Sequence, residues 1–468
     1  MKKTLSIEKI KEFLFLALLI LFPFNLRHIF NFDKIKDVEG FREHISWSVS
    51  VFEIVFLLLL SVVLFELLRS MLRNKVSCNR LICWIKYTFH LNNFSKLSAL
   101  FFVVVLVFNF FVSQDKTICL HSEVKIIGAF LLFFIAKELF RSNQTKKYSV
   151  IFIFLGGVLQ SLITLMQFVA QKSLGLKLLG ESVIAPDILG VAKFEFAAEK
   201  FIRGYGTFPH PNILGTFLLF ALAAGMWLFL KKKNGQNSIG NVGLITGNTL
   251  IFAGIFLSYS RSVLFALVIF ATTLLFAHKK YIIEIYQKYC QKLRVHFFLH
   301  GAIGLIIVFS VLFALYNLFI PRLCLTDCPN DKSIVLRLLY NKAAFATISE
   351  RPITGVGSGC FVYYLSENSS FGLQPWERQP VHNLYLLITS ELGLLGLISF
   401  LLFLATQINS KHVLKRKLLS NPLVIIFFMF LILGLFDHFF WTIPQAQTIF
   451  WLSLAFFASS GRIRKNMI

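Results

Sequence analysis

Apolar residues run along this chain in long blocks, separated by shorter stretches that gather the Lys, Arg, Asn, Ser and Pro residues. A bilayer core of about 30 Å needs about 20 apolar helical residues to cross it. By that measure the pattern predicts about twelve spans, at 12–30, 46–68, 97–113, 124–139, 149–170, 212–230, 243–259, 262–277, 297–319, 383–405, 422–438 and 444–460. The seventh and eighth are parted only by the turn Tyr259–Ser262. Two intervening stretches, 171–211 and 321–382, are too long and too polar to be tight connections, and loops of that length in a compact protein usually carry function. Within the second, Ser333–Ser349 has the periodicity of an amphipathic helix. No internal repeat or low-complexity tract is visible. The expected fold is an all-α polytopic membrane protein. Residues 1–468 form a single integral membrane domain, with a long, partly helical outer loop between spans nine and ten.

Composition sharpens this reading. Of 468 residues 56% are hydrophobic and 55 are phenylalanine, and the mean hydropathy is +0.72, which excludes a string of soluble domains and a disordered chain alike. The net charge of +24 invites two readings: nucleic-acid binding, or loops held on the cytoplasmic side. Their distributions differ. With the N-terminus inside, the inner segments carry 29 of the 47 basic residues and only five of the 23 acidic ones, and the rest of the chain is balanced at 18 of each sign. The whole excess therefore sets topology, with both termini cytoplasmic, and nucleic acid is not expected as a partner. The first block lacks a small-residue cleavage site and runs into Pro23-Phe24-Asn25-Leu26-Arg27, so it reads as a retained span rather than a cleaved signal. A twelve-span transporter is the other class to weigh. Such proteins often show paired halves and a long central inner loop, whereas here the segment after span six is short and the halves do not repeat.

Cys324 and Cys328 are close enough in sequence to bridge in an oxidising compartment, and equally consistent with two free thiols. Cys78 and Cys83 lack a second pair or a His partner for zinc. The outer segments hold Arg203, Arg261, Arg322, Arg337, Arg351 and Arg378, and arginine grips phosphate bidentately without losing its charge. Arg203 opens the run Arg203-Gly204-Tyr205-Gly206-Thr207-Phe208-Pro209-His210-Pro211-Asn212, whose last two residues begin span six. A re-entry loop with a snorkelling arginine fits the same spacing. Arg261, the sole charge between Ser238 and His278, sits among serines where span eight begins. That is a setting for an anion, or for a lipid headgroup. Gly355-Val356-Gly357-Ser358-Gly359 lacks the strand–helix context of a dinucleotide fingerprint and reads as a flexible turn able to hinge beneath a lid.

The strongest single candidate is His382 in Val381-His382-Asn383-Leu384-Tyr385, at the outer mouth of span ten. Its near-neutral titration suits general-base work, and an interfacial histidine without chemistry is the plain alternative. Glu391 follows nine residues later, about 13 Å deeper and on the opposite helix face. It must therefore pair with another helix or be protonated, and it is either a functional carboxylate or a structural hydrogen bond. Glu53 in span two is a similar case, and Asp437-His438 at the outer end of span eleven could join the same cluster. No Asp-x-Asp pair or His/acid cluster is visible in the outer loops, so neither a metal nor a cofactor is expected.

On Arg203 before Gly206-Thr207-Phe208 and Pro211-Asn212, Ser260-Arg261, Pro352 through Phe361, and His382-Asn383-Leu384-Tyr385 with Glu391-Leu392-Gly393, the chain resembles the O-antigen ligase and polymerase superfamily of bacterial membrane glycosyltransferases. The likeness runs from about residue 150 to 460. It implies a GT-C-like fold in the bacterial cytoplasmic (inner) membrane, with its active site on the outer face. The implied reaction is a metal-independent, inverting transfer of a glycan from an undecaprenyl-diphosphate-linked donor to an acceptor hydroxyl. Carried over motif by motif, His382 becomes the base, and Arg203, Arg261 and, on looser context, Arg337 hold the diphosphate. Asn383, Tyr385, Glu391 and Asp437 are supporting residues. Ligase, glycan polymerase and protein O-oligosaccharyltransferase share this donor chemistry and differ in the acceptor, which is a lipid, a glycan or a protein.

Overall fold

The computed structural model describes residues 6–30, 47–73, 93–196, 199–231, 238–279, 332–408 and 420–460. The expected ninth span at 297–319, the start of the second long loop, and Cys78, Cys83, Cys290, Cys324 and Cys328 lie outside the described residues.

The helices are α1 (Ile7–Leu21), α2 (Val51–Arg73), α3 (Asn93–Val112), α4 (Lys116–Leu139), α5 (Asn143–Ala170), α6 (Pro211–Lys231), α7 (Ser238–Leu257) and α8 (Arg261–Ala277). They continue with α9 (Lys332–Glu350), α10 (Phe361–Glu367), α11 (Leu384–Ile408), α12 (Pro422–Leu433), α13 (Phe439–Thr442) and α14 (Pro444–Ser460). Six of them, α2 to α6 and α11, are long and apolar enough to cross a membrane, and α7, α8 and α12 contain shorter apolar helices. Helix starts follow local chemistry. The Asp115 carboxylate accepts from the Thr117 and Ile118 amides, both at 2.8 Å, to open α4. Asn421 caps α12 with Pro422 in its first turn.

Every expected span among the described residues coincides with a helix, with shifted ends. The first stops at Leu21, before Pro23, and the eleventh stops at Leu433. Two short antiparallel hairpins add to the all-helical expectation: β1 (Arg27–Ile29) with β2 (Ser48–Ser50), and β3 (Lys193–Phe196) with β4 (Glu199–Ile202). The second docks through a stack of rings. Phe194 lies 4.0 Å from Tyr259, centroid to centroid, and Phe168 flanks both.

The helices pack as α1 on α2, α3 on α11, α4 on α14, α5 on α6 and α7, and α12 on α14. Phenylalanine fills the joints: Phe130 meets Phe102, Phe403 and Trp451 at centroid distances of 5.3, 4.9 and 5.3 Å. Small residues let α5 and α6 approach closely, since a Cβ at Gly157 would stand 2.3 Å from that of Ala221. Helix α11 breaks at Gly393, with φ 67° and ψ −172°, and residues 352–354 run across the break. There Leu394 donates to the Pro352 carbonyl at 2.8 Å, and a side chain at 393 would meet the Ile353 carbonyl.

The glycine run 355–359 is a packed element rather than a hinge. Val356 and Gly357 donate to the Ser390 and Glu391 carbonyls at 3.0 and 2.9 Å, and Gln114 donates to Val356 at 2.9 Å. Asn109 of α3 accepts from the Ser358 amide at 2.8 Å and donates to the Glu391 carbonyl at 3.1 Å. Residues 355–358 are buried. The small residues allow a close approach of backbones, which is the reason a run that looks loose in sequence is rigid here.

Candidate functional site

Arg203, Asn212, His382, Asp437 and His438 lie together at the end of the bundle where α6 and α11 begin. The loop before α6 is held by two buried glutamines of α5. Gln167 accepts from the Tyr205 and Gly206 amides at 3.1 and 2.8 Å and donates to the Gly206 carbonyl at 2.8 Å. Gln160 accepts from the Thr207 amide at 2.9 Å and donates to its hydroxyl at 2.7 Å. This scaffold sets the position of Arg203. Its Nε donates to the Ser258 carbonyl at 2.8 Å, and its Nη2 donates to the Asn212 side chain at 2.6 Å. Arg203 therefore spans from the loop to the turn that precedes Arg261, and on to the first turn of α6. Arg261 is exposed and is the first residue of α8, as the spacing predicts.

From Asn212 the network continues. Asn212 Nδ2 donates to Asp437 Oδ2 at 2.9 Å, and Asp437 Oδ1 accepts from the His438 amide at 2.9 Å. Asp437 is 5% exposed, and these two donors satisfy its buried oxygens. The His438 ring stands edge-on to His382, with centroids 5.2 Å apart, and its Nδ1 shares a 2.8 Å hydrogen bond with the Thr442 hydroxyl. On the other side of His382 the buried Tyr340 of α9 lies parallel to it, at 5.8 Å and 7°. The Tyr340 hydroxyl donates to the Glu377 carbonyl.

His382 is half-buried. Its Nδ1 is buried and makes no hydrogen bond of good geometry. Burial lowers its pKa below the usual histidine value. Asp437 opposes this, Arg337 reinforces it, and the nearby Pro380 backbone favours the protonated ring. A ring kept neutral at pH 7 and supplied with a carboxylate neighbour is equipped to take a proton. His210 is a second such ring. Its Nδ1 accepts from the Asn212 amide at 3.2 Å, which leaves the proton of the neutral form on Nε2. The protein crowded around His210, then the Arg203 charge, push its pKa down to about 3, with Asp437 acting in the opposite sense. The side chain nonetheless keeps solvent access.

The supporting residues have mechanical roles. Asn383 accepts from the Tyr385 and Leu386 amides at 2.9 and 3.0 Å, capping α11, and donates to the Leu435 carbonyl at 3.2 Å. The Tyr385 hydroxyl donates to the Leu431 carbonyl at 2.8 Å. Together they fasten the start of α11 to the last turn of α12 and to Leu435, two residues before Asp437. Glu391 is 2% exposed and accepts from Trp441 Nε1 of α13 at 2.8 Å. It thus pairs with another helix. Glu53 accepts from the Ser50 amide at 2.6 Å, closing the first turn of α2.

One sequence expectation needs revising. No His/acid cluster is visible along the loops, yet the fold brings ligand atoms of His382, Asp437 and His438 within 4.8 Å of one another. Two imidazoles and a carboxylate are a donor set that suits a divalent transition metal. Asp437 and His438 are adjacent in sequence and are expected near His382 from their place at the outer end of span eleven, but linear spacing does not show that the three ligand atoms meet. Tyr340 has no sequence signal at all. His210 and Asn212 were in view only as neighbours of Pro211, the helix opener.

The bundle and this cluster define a multi-pass membrane protein with a charged, histidine-bearing site at one end of its helices. A family model described as O-antigen ligase matches residues 247–401, which supports the resemblance to the O-antigen ligase superfamily. The matched stretch holds Arg261, Arg337, His382 and Glu391. Arg203, Asn212, Asp437 and His438 lie outside it and reach the cluster through the fold. No curated protein matches the chain.

Proposed function

We propose that the protein transfers a glycan from an undecaprenyl-diphosphate-linked donor to an acceptor hydroxyl, in the manner of an O-antigen ligase, at the outer face of the bacterial inner membrane. The observation that carries this reading is the continuous path from Arg203 through Asn212 and Asp437 to the neighbourhood of His382. It joins a fixed cation suited to a diphosphate to a neutral base within one network. The placement of basic residues supports the orientation, since the inner segments hold the entire excess. In this reading His382 takes the proton of the acceptor hydroxyl as its oxygen attacks the anomeric carbon. The bond from that carbon to the diphosphate oxygen breaks on the opposite face, so the configuration inverts. The leaving diphosphate stays with Arg203, Arg261 and Arg337, whose charge offsets what develops on it. Asp437 stabilises the imidazolium that forms.

The test is transfer by the full-length protein in proteoliposomes supplied with an undecaprenyl-diphosphate-linked glycan and candidate lipid, glycan and protein acceptors, read by mass spectrometry of the product linkage. Conversion of one acceptor with inversion supports the reading, and loss of no donor in any arm overturns it. Both Asp437 oxygens are already engaged, so the trio is read as proton-handling rather than metal-holding. Turnover is expected to survive exhaustive chelation. A loss restored by one particular divalent ion would transfer the trio to a metal role.

The electrostatics make a signed prediction. His382 must be neutral to act, so the rate falls as pH drops through its pKa. Removing the Asp437 charge in Asp437→Asn lowers that pKa further and moves the acid limb of the kcat/KM profile to lower pH. Removing the Arg337 charge in Arg337→Gln does the opposite. Limbs that move in the same direction, or not at all, refute His382 as the titrating base.

A further inference from the structure

A cavity that His382 does not line lies at the side of the bundle between α1, α2, α4 and the start of α14, with a volume of about 340 Å³. That is within the range of cavities that take a ligand. Its lining is graded along the helices. Where α2 and α4 begin it presents Trp47, Ser48, Glu53, His121 and Lys125. Further along both helices it presents only apolar groups, among them Phe56, Leu60, Leu131 and Leu132. From His121 to Leu132 the wall runs about 16 Å along α4 at the helical rise. A slot of this kind, polar at one end and greasy for the rest, has the shape of an amphiphile.

Two observations give the polar end a ligand preference. His121 is 8% exposed, and its Nε2 is buried without a hydrogen-bond partner, although such atoms are almost always satisfied. Lys125 Nζ gives one bond to the Ser48 hydroxyl at 2.9 Å and has further donors to give. Among the described residues the charges acting on Lys125 include Glu53 and Arg27, and the Glu53 carboxylate already accepts from the Ser50 amide. The end of the slot therefore holds a lysine with donors to spare and an unmet polar atom, which complements an anionic headgroup.

We propose that this cavity is a binding site for an anionic phospholipid drawn from the surrounding bilayer. The phosphate lies at Lys125 and His121, and one acyl chain extends past Phe56 and Leu60 toward Leu132. The site is distinct from the His382 cluster and does not rest on the transfer reading. Its wall nevertheless touches the machinery: Gln447 lines the cavity and donates to the Trp441 carbonyl at 2.5 Å, and Trp441 holds Glu391.

The test uses the full chain in phosphatidylcholine nanodiscs, with brominated-chain phosphatidylglycerol titrated in and quenching of Trp47 emission as the readout, taken as the difference from Trp47→Phe. Saturable quenching at a low mole fraction is expected, and brominated phosphatidylcholine should match it only at much higher levels. Lys125→Gln should shift the midpoint upward about fivefold, the effect of one lysine on an anionic lipid. Gly128→Leu should abolish saturation, because a Cβ there meets only Phe56, at 3.6 Å, and a larger side chain fills the slot without straining α4. Equal quenching by the two lipids, or saturation unchanged in both variants, overturns the proposal. So does displacement of phosphatidylglycerol by undecaprenyl phosphate at equal mole fraction, which would make the cavity part of the donor site.

Discussion

His382→Ala is expected to lower kcat for glycan transfer by about 10²- to 10⁴-fold, the usual contribution of a positioned general base. The expectation rests on what surrounds the ring. Tyr340 lies parallel on one side and His438 edge-on at another, so its orientation is fixed before any acceptor arrives. Burial keeps it neutral, and Asp437 is close enough to offset the charge it gains. The ring is held by these stacking contacts and the nearby Pro380 backbone, with no hydrogen bond of good geometry at Nδ1. Loss of the imidazole should therefore cost little stability while removing the proton acceptor. The separation to look for is a collapse of kcat with KM for the donor nearly unchanged and an unaltered melting transition, because the arginines and the bundle are untouched. Added imidazole should restore part of the rate. A variant that keeps most of its turnover, or one that loses donor affinity and rate together, would show that His382 is a packing residue and that the proton leaves by another route.

What could be read before the fold was known followed physical rules of short range. The spans were legible because a bilayer imposes a length and a polarity on each one, and Arg261 was legible because a lone charge in an apolar hairpin has few places to go. The glycine run at 355–359 was misread for the same reason. Its flexibility is a local property, and its rigidity comes from Asn109 and from the Ser390 and Glu391 carbonyls, far away in sequence. Strand β3 left a usable sign, the polar–aromatic alternation Lys193-Phe194-Glu195-Phe196, which the strength of the helical pattern overshadowed. The link from Asn212 to Asp437 spans 225 residues, and the stacking of Tyr340 on His382 joins a surface helix to a loop. Such contacts depend on tertiary packing, which no spacing rule encodes. The need of Glu391 for a partner on another helix, legible from a carboxylate inside a span, is met by Trp441.

Arg203→Ala is expected to produce the second large loss, about 10²- to 10³-fold in kcat/KM, the cost of removing one preorganised donor from a developing anion. Two roles must be told apart, because the same guanidinium binds the Ser258 carbonyl and Asn212. Through Asn212 it steadies Asp437, and through its charge it would hold the diphosphate. Asn212→Ala separates them, since it cuts the connection to Asp437 and leaves the cation in place. If Arg203 serves the diphosphate, Asn212→Ala should lose much less than Arg203→Ala and should mainly affect the acid limb of the pH profile, through His382. Arg203→Ala should instead raise KM for the donor and weaken inhibition by free undecaprenyl diphosphate. Arg203→Lys should recover little of either, because an ammonium cannot reproduce the planar fork that reaches Ser258 and Asn212 at once. Equal losses in Arg203→Ala and Asn212→Ala, with donor inhibition unchanged in both, would reduce Arg203 to a brace for Asp437. The diphosphate would then have to be held by Arg261 and Arg337, the two exposed arginines of the site.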